Sequence, residues 1–377
     1  MKRFSGLKDL TLLMPTFNRQ KYAKRAIDYW SNTDVNLIVL DGSPKPIESE
    51  FTTKLSKQIT YVQNQESWID RIVLGSNLSN TTYTMLICDD EFYLPSALKL
   101  LISELNINKQ INTATGLAVA FYPYANTLFF RRIYREFKNA SVLLDDPIER
   151  VVHHMKPYAV TSLYGMNRTQ VFRKNIEVAR ICSILPDPAS FELGFEIANS
   201  YQGKTKVIPV ISWLRSMENP PIWNTKAIKT HTWWINRDNN QDLKNASSEA
   251  ETVLRLLDNH KNELEEQVLY IGLSRYVSNF VQISTKKNKY SFTGQIKKFV
   301  PYRFYFFFIW ILLLVFKDSK LTTWQSRNTL LKQLKTERVG VSIDDLTEID
   351  EFMQISQFSG NPTKTGKSHQ NGQSRKK

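Results

Sequence analysis

Three consecutive carboxylates, Asp89-Asp90-Glu91, follow the stretch Tyr83-Thr84-Met85-Leu86-Ile87-Cys88, which contains neither Gly nor Pro. A short, β-prone, apolar-leaning stretch of this kind reads as a buried strand. Carboxylates crowded at the end of a buried strand repel one another and resist desolvation. A hard divalent cation relieves both problems, because carboxylate oxygens suit Mg²⁺ or Mn²⁺. At the carboxyl end of an α/β sheet such a cation is well placed to neutralise a diphosphate. The alternative is an acidic turn that sits in water, as charge runs often do. The neighbouring segments bear on the choice.

Those segments alternate. Leu10-Thr11-Leu12-Leu13-Met14 reads as a strand ended by Pro15, with Thr16-Phe17-Asn18-Arg19 as a turn. From Gln20 to Trp30 the spacing of Tyr22, Ala23, Ala26, Ile27 and Trp30 is helical. Val35 to Leu40 is a second strand, stopped by Asp41-Gly42-Ser43-Pro44, and Ile59 to Val62 a third. Helices are predicted from Ser67 and from Pro95, on either side of the strand at Tyr83. This β-α-β order implies an α/β protein with a Rossmann-type, mostly parallel sheet. Ligands bind such sheets at the carboxyl ends of the strands, where Pro15, Asp41 and Asp89 all fall. Beyond Thr113 the pattern loosens, with a helix from Phe191 to Tyr201, a strand from Lys206 to Val210 and helical spacing from Ser247 to Ser284.

Taken in order, these residues resemble the family 2 glycosyltransferases with the GT-A fold, in particular a bacterial subgroup. Met14-Pro15-Thr16-Phe17-Asn18-Arg19 is similar to that family's first strand and turn, which holds the nucleotide base. Asp41-Gly42-Ser43 is similar to its second-strand acidic motif, and Asn64 with Arg71 to its Asn…Ala-Arg-Asn stretch, although Asp70 and Ile72 flank the arginine here. The family's metal motif is Asp-x-Asp-Asp followed by Pro. Aligning that Pro with Pro95 makes Asp90 and Glu91 the implied metal ligands, turns Asp89 to the ribose or diphosphate, and puts Cys88 where the first Asp usually stands. The family's general base lies near a helix start ahead of a Gly. Counting back from Gly203 gives Glu192, with Glu196 and Asp187 as alternatives and a plain helix-start charge as the bland reading. Ser212 to Pro221 resembles the segment that follows the base, and Arg215 within it is a candidate for the diphosphate or for structural anchoring.

The resemblance implies a metal-dependent, inverting transfer of a sugar from a nucleotide-sugar donor to a glycan or lipid-linked acceptor, with Mn²⁺ or Mg²⁺ as cofactor, in surface polysaccharide synthesis. The chemistry is coherent on its own terms: the diphosphate must be neutralised, the base and ribose fixed, and the acceptor hydroxyl deprotonated. One competing enzyme is a sugar-phosphate nucleotidyltransferase, which usually carries a Gly-rich basic loop after its first strand. A non-catalytic membrane or polyanion binder is the other competitor, and it leaves the acidic triplet unexplained.

The chain has 377 residues and a formal charge of +14. No zinc spacing, RNA-binding sheet signature or long basic helix points to nucleic acid. His153, His154 and His231 lack partners at a metal spacing, and Cys88 and Cys182 read as reduced core thiols. Met1 to Leu10 has no apolar core of a cleavable signal, which implies a cytoplasmic site of action. Phe304 to Phe316 is an uninterrupted apolar and aromatic run flanked by Lys297, Lys298, Arg303, Lys317 and Lys320. As a helix it spans about 20 Å, against a bilayer core of about 30 Å. The expectation is a peripheral or monotopic segment on the anionic inner face of the plasma membrane, the alternative a buried helix. The expected division is 1–225 for the GT-A-like domain, 226–295 for a helical extension, 296–320 for the membrane segment, 321–358 for a further helical segment and 359–377 for a disordered basic tail. On this division a chain ending near Ile296 keeps the donor site.

Overall fold

A computed structural model of the chain describes residues 5–124, 127–183, 189–219, 268–286 and 324–358, with isolated positions between 241 and 252. Asp187, His231, the tryptophans at 223, 233 and 234, the run at 304–316 and the tail at 359–377 lie outside the described residues.

Four strands, β1 (Leu10–Thr16), β2 (Asn36–Asp41), β3 (Ile59–Gln63) and β4 (Tyr83–Leu86), pair in parallel in the order β3-β2-β1-β4. Their side chains are apolar on both faces, as a sheet covered on both sides requires. Helices α1 (Gln20–Trp30) and α3 (Trp68–Leu78) make the crossovers, with the short α2 (Ser49–Thr52) between them. In α1 the buried residues are Ala23, Ala26, Ile27, Tyr29 and Trp30, following the helical spacing in the sequence. The Ser67 hydroxyl caps α3 by accepting from the Asp70 amide at 3.2 Å.

The second half corrects the expectation of a mostly parallel sheet. Here β5 (Phe92–Tyr93), β6 (Ile111–Tyr124), β7 (Thr127–Arg132), β8 (Met166–Arg168) and β9 (Lys204–Ser216) extend the sheet to nine strands, and only β6 and β9 pair in parallel. Strand β8 lies antiparallel between β4 and β6, β7 folds back on β6, and β5 runs antiparallel to β9. The sheet is mixed because short returning strands, rather than further crossover helices, fill this half. Helices α4 (Pro95–Ile107), α5 (Pro147–His154), α6 (Thr169–Cys182) and α7 (Ala189–Gln202) complete it. Strand β9 runs well past Val210 because the register slips between Thr115↔Val207 and Leu117↔Ile211, bulging the chain at Pro209. A side chain at Gly116 would come within 2.6 Å of the Val210 carbonyl oxygen, so glycine is needed opposite the bulge.

The last described residues return to this sheet. Helices α9 (Arg327–Thr336) and α10 (Ile343–Phe358) follow α8 (Val268–Lys286) in the described chain. Gln325 exchanges backbone hydrogen bonds with Phe130, and Gly340 pairs beside Val210 at the bulge. Leu330, Leu334, Leu346, Ile349, Phe352 and Met353 belong to the same core as Leu12 and Tyr93. Asp345 is buried and accepts from the Ser96 amide and hydroxyl, each at 2.9 Å, at the start of α4. Wherever it is described, the segment 321–358 contributes to this core. Helix α8 packs through Val268, Leu269 and Leu273 against Val151, Met155 and Ile197 of α5, its C-cap and α7. Among the described residues no helix is long and apolar enough to cross a membrane.

Candidate active site

The register Leu13↔Leu86 sets β1 beside β4, and the Ile87 amide continues it to the Leu13 carbonyl at 2.9 Å. Three residues on, the strand ends meet, and the Thr16 hydroxyl donates to Asp89 Oδ2 at 2.7 Å. Beyond Thr16 the exposed Asn18 takes a left-handed conformation with φ 54°. Its amide donates to Ser43 Oγ at 2.7 Å, stitching the β1 turn to the β2 turn. Asp41 is fully buried. Its Oδ1 accepts from the Ser43 amide (2.8 Å) and hydroxyl, and its Oδ2 from the Tyr61 hydroxyl at 2.6 Å. Burial, and then the Asp41 carboxylate, push the Tyr61 hydroxyl up. Arg71 Nη1 donates to the Thr16 and Leu40 carbonyls at 2.7 and 2.6 Å, clamping the ends of β1 and β2. A side chain at Gly42 would lie 2.5 Å from the Arg71 guanidinium carbon, so the turn must carry glycine for the clamp to fit. Pro15, half-buried, continues the β1–β2 register opposite Leu40.

The acidic triplet is buried, and its members face different partners. Asp89 and Asp90 both pair with Arg19: Nη1 lies 3.1 Å from Asp89 Oδ1, and Nη2 bonds Asp90 Oδ2. Asp90 Oδ2 also accepts from Asn219 Nδ2 at 2.8 Å, and the Asp90 carbonyl accepts from Arg25 at 3.1 Å. Glu91 turns to the opposite side, accepting from Trp213 Nε1 at 2.7 Å, with Arg215 Nε 3.9 Å from its other oxygen. Burial raises the Asp89 carboxyl to about 6, against the pull of Arg19, with Asp90 adding to the rise. Glu91 is pushed up to about 8 by burial and by Asp90, while Arg215 and Trp213 pull it down. Burial, then Glu91, Asp90 and Asp89, lift the half-buried Cys88 thiol. A divalent ion on Asp90 and Glu91 needs converging, deprotonated oxygens. Here a guanidinium bridges Asp89 and Asp90, and Glu91 accepts from Trp213. Among the described residues no group of three His, Cys, Asp or Glu side chains could hold a metal, and a divalent ion on Asp90 would compete with the Arg19 guanidinium that occupies its Oδ2.

A second set of groups comes from α7 and the strap before β8. Glu192, half-buried in the first turn of α7, accepts from the Tyr158 hydroxyl at 2.5 Å. Burial, then Glu192 and Glu196, hold that hydroxyl's proton on. Glu196 has 0% exposure and accepts from the Ser162 and Leu163 amides at 3.0 and 2.9 Å and pairs with His154 Nε2 at 2.7 Å. A general base must reach the substrate, so this enclosed carboxylate is a structural anchor. Tyr164 joins the two halves: its hydroxyl is raised by burial and then by Cys88, Glu192, Glu91 and Glu196, which places it in the field of both acidic groups. The Trp213 ring lies between Tyr134 and Tyr93, with centroids at 5.7 and 6.1 Å, and Arg215 sits 5.4 Å from the Tyr134 centroid.

The strand ends thus bring Thr16, Asn18, Asp41, Arg71, Asp89 and Asp90 together, with Arg215 beside Glu91, while Glu192 pairs with Tyr158. Sequence reasoning missed Arg19, Arg25, Tyr61, Tyr158, Tyr164 and Asn219 as members. The one available signal was Arg19 itself, a cation in the turn that faces the strand carrying three carboxylates.

No family model matches the chain, and no curated protein matches it. Among solved structures the chain is similar to S. aureus TarS 1-349, at 12% identity over 76% of each chain with a TM-score of 0.47. It is also similar to S. aureus TarS 1-349 in complex with UDP-GlcNAc, at 12% identity over 74% of this chain and 76% of that one, TM-score 0.48. A third similar structure, S. aureus TarS, is 13% identical over 78% of this chain and 49% of its own length, TM-score 0.46.

Proposed function

We propose that this chain is a glycosyltransferase that moves a sugar from a nucleoside-diphosphate sugar to a glycan or lipid-linked acceptor, by direct displacement with inversion, in surface polysaccharide synthesis. The observation that carries the reading is the meeting of Thr16, Asn18, Asp41 and Asp89 at the carboxyl ends of parallel strands. Ligands bind α/β sheets at this edge. The Asp41–Ser43–Asn18 chain of hydrogen bonds holds two turns rigid, which suits a wall for base and ribose. Glu192 takes the proton from the acceptor hydroxyl, and Tyr158 orients its carboxylate.

Glu192→Gln is nearly isosteric and cannot accept a proton. It is expected to lower kcat by about 100-fold or more, with donor affinity unchanged. A near-normal rate would remove Glu192 as the base. The assay is a screen of UDP-, GDP- and dTDP-sugars for released nucleoside diphosphate. A nucleotidyltransferase would release no nucleoside diphosphate from these donors, and would release pyrophosphate only when given a nucleoside triphosphate and a sugar 1-phosphate.

The working place of the enzyme is the anionic inner face of a membrane. Two features support this: the charge of +14 and the aromatic run at 304–316 with its basic flanks. Full-length protein should float with vesicles containing anionic lipid and be only partly released by high salt, which screens the basic flanks but not apolar insertion. Complete release by salt would restrict the contact to charge.

A further inference from the structure

We propose that Arg19 is the resident counter-cation of this site: it does the neutralising that the sequence reading gives to a divalent ion, so nucleoside diphosphate binds without Mn²⁺ or Mg²⁺. The inference rests on the donor reading above and deepens it.

The geometry is that of a bridge. Two nitrogens of one planar guanidinium reach carboxylates on adjacent residues, Nη1 to Asp89 Oδ1 at 3.1 Å and Nη2 to Asp90 Oδ2. A fork of fixed donors matches such a pair better than a point charge does. The backbone sets it up: left-handed Asn18 turns the chain at the end of β1, and Arg19 is the residue that opens α1. The guanidinium rests on the Tyr22 ring, 5.0 Å from its centroid. Arg25 lies 5.0 Å from the same ring, and it is held by both Glu218 oxygens, at 3.1 and 2.7 Å, and by the Asp90 carbonyl. Other donors share these carboxylates with the bridge. Asp89 Oδ2 accepts from Thr16, Asp90 Oδ2 also accepts from Asn219, and Glu91 points away to Trp213. An incoming cation would have to compete with Arg19 for Asp89 and Asp90. Arg19 itself is not fully spent. Its side chain keeps 23% exposure, and two of its five N–H donors suffice for the two carboxylates, which leaves donors for phosphate oxygens.

The test uses the full chain and two readouts. The first is Mn²⁺ binding by electron paramagnetic resonance, with no nucleotide present. Wild type should leave millimolar Mn²⁺ free, and Arg19→Gln should create a Mn²⁺ site by releasing both carboxylates. The second is calorimetric titration with UDP, GDP and dTDP in EDTA and in Mn²⁺. Wild type should bind one of them equally in both. Arg19→Gln should lose roughly tenfold or more in EDTA, the order expected for losing a charged hydrogen bond, and recover in Mn²⁺. Arg19→Lys keeps the charge without the fork and should fall between, which guards against a Gln variant that fails to fold. Wild-type Mn²⁺ binding, or nucleotide binding abolished by EDTA, would overturn the proposal. If no nucleotide binds under either condition, the donor reading fails, and the Mn²⁺ readout alone decides the role of Arg19.

Discussion

Helix α10 offers a sharp test of how the catalytic half is held together. Phe352 is 7% exposed, and its ring meets Tyr29 at 5.6 Å and Phe92 at 6.1 Å. Phe92 follows Glu91 directly, so this contact supports the strand that turns the acidic triplet. Phe352→Ala removes a buried aromatic ring and should cost about 3–5 kcal/mol of unfolding free energy. Asp345→Ala removes the acceptor of two hydrogen bonds from Ser96 and leaves the start of α4 without that carboxylate, for roughly 2–3 kcal/mol. A domain of this kind has about 5–15 kcal/mol in total. A chain ending at Thr323 loses both features and the whole apolar face of Leu330, Leu334, Leu346, Ile349 and Met353, so it should not hold a folded donor site. Urea denaturation of the two point variants, with nucleotide titration of the truncated chain, measures this. A truncated chain that folds and binds nucleotide, together with a loss under about 1 kcal/mol for Phe352→Ala, would refute the argument. It would restore a separate segment at 321–358.

Two further outcomes follow from the site. Gly42→Ala puts a carbon against the Arg71 guanidinium and should cost about 1–3 kcal/mol while weakening nucleotide binding; an unchanged melting temperature would show that the clamp yields freely. Glu91, raised to about 8, holds a proton in the folded state that the unfolded chain gives up near its ordinary value. Its contribution to stability is therefore greatest at low pH and is lost as pH rises through about 8. Glu91→Gln, which can still accept from Trp213, should gain on wild type by roughly 4 kcal/mol between pH 5 and 8. Parallel denaturation curves across that range would show that Glu91 is not held protonated.

The sequence displays what is local and conceals what depends on pairing. Strands β1, β2 and β4 are legible because each is an apolar run with Pro15, Asp41-Gly42 or the acidic triplet at or near its end, β3 because it is a short β-prone run, and α1 and α3 carry their own spacing. Strand β8 is not legible, since Met166-Asn167-Arg168 is three residues of mixed polarity whose place is fixed only by β4 and β6. The strand read as ending at Val210 runs on past a bulge at Pro209, where Gly340, far along the chain, donates to the Pro209 carbonyl and accepts from the Ile211 amide. The acidic triplet shows the same division. Its burial at a strand end follows from the residues around it, and so does the need for a positive charge. What supplies that charge does not, for Arg19 and Asp90 are 71 residues apart. They meet because Leu13 registers with Leu86, and the chains continue side by side until Thr16 reaches Asp89. The register between two strands, more than the composition of the triplet, therefore decides between a metal ion and a guanidinium here. A cation at the end of β1 should be weighed as a partner wherever carboxylates close the parallel neighbour of that strand.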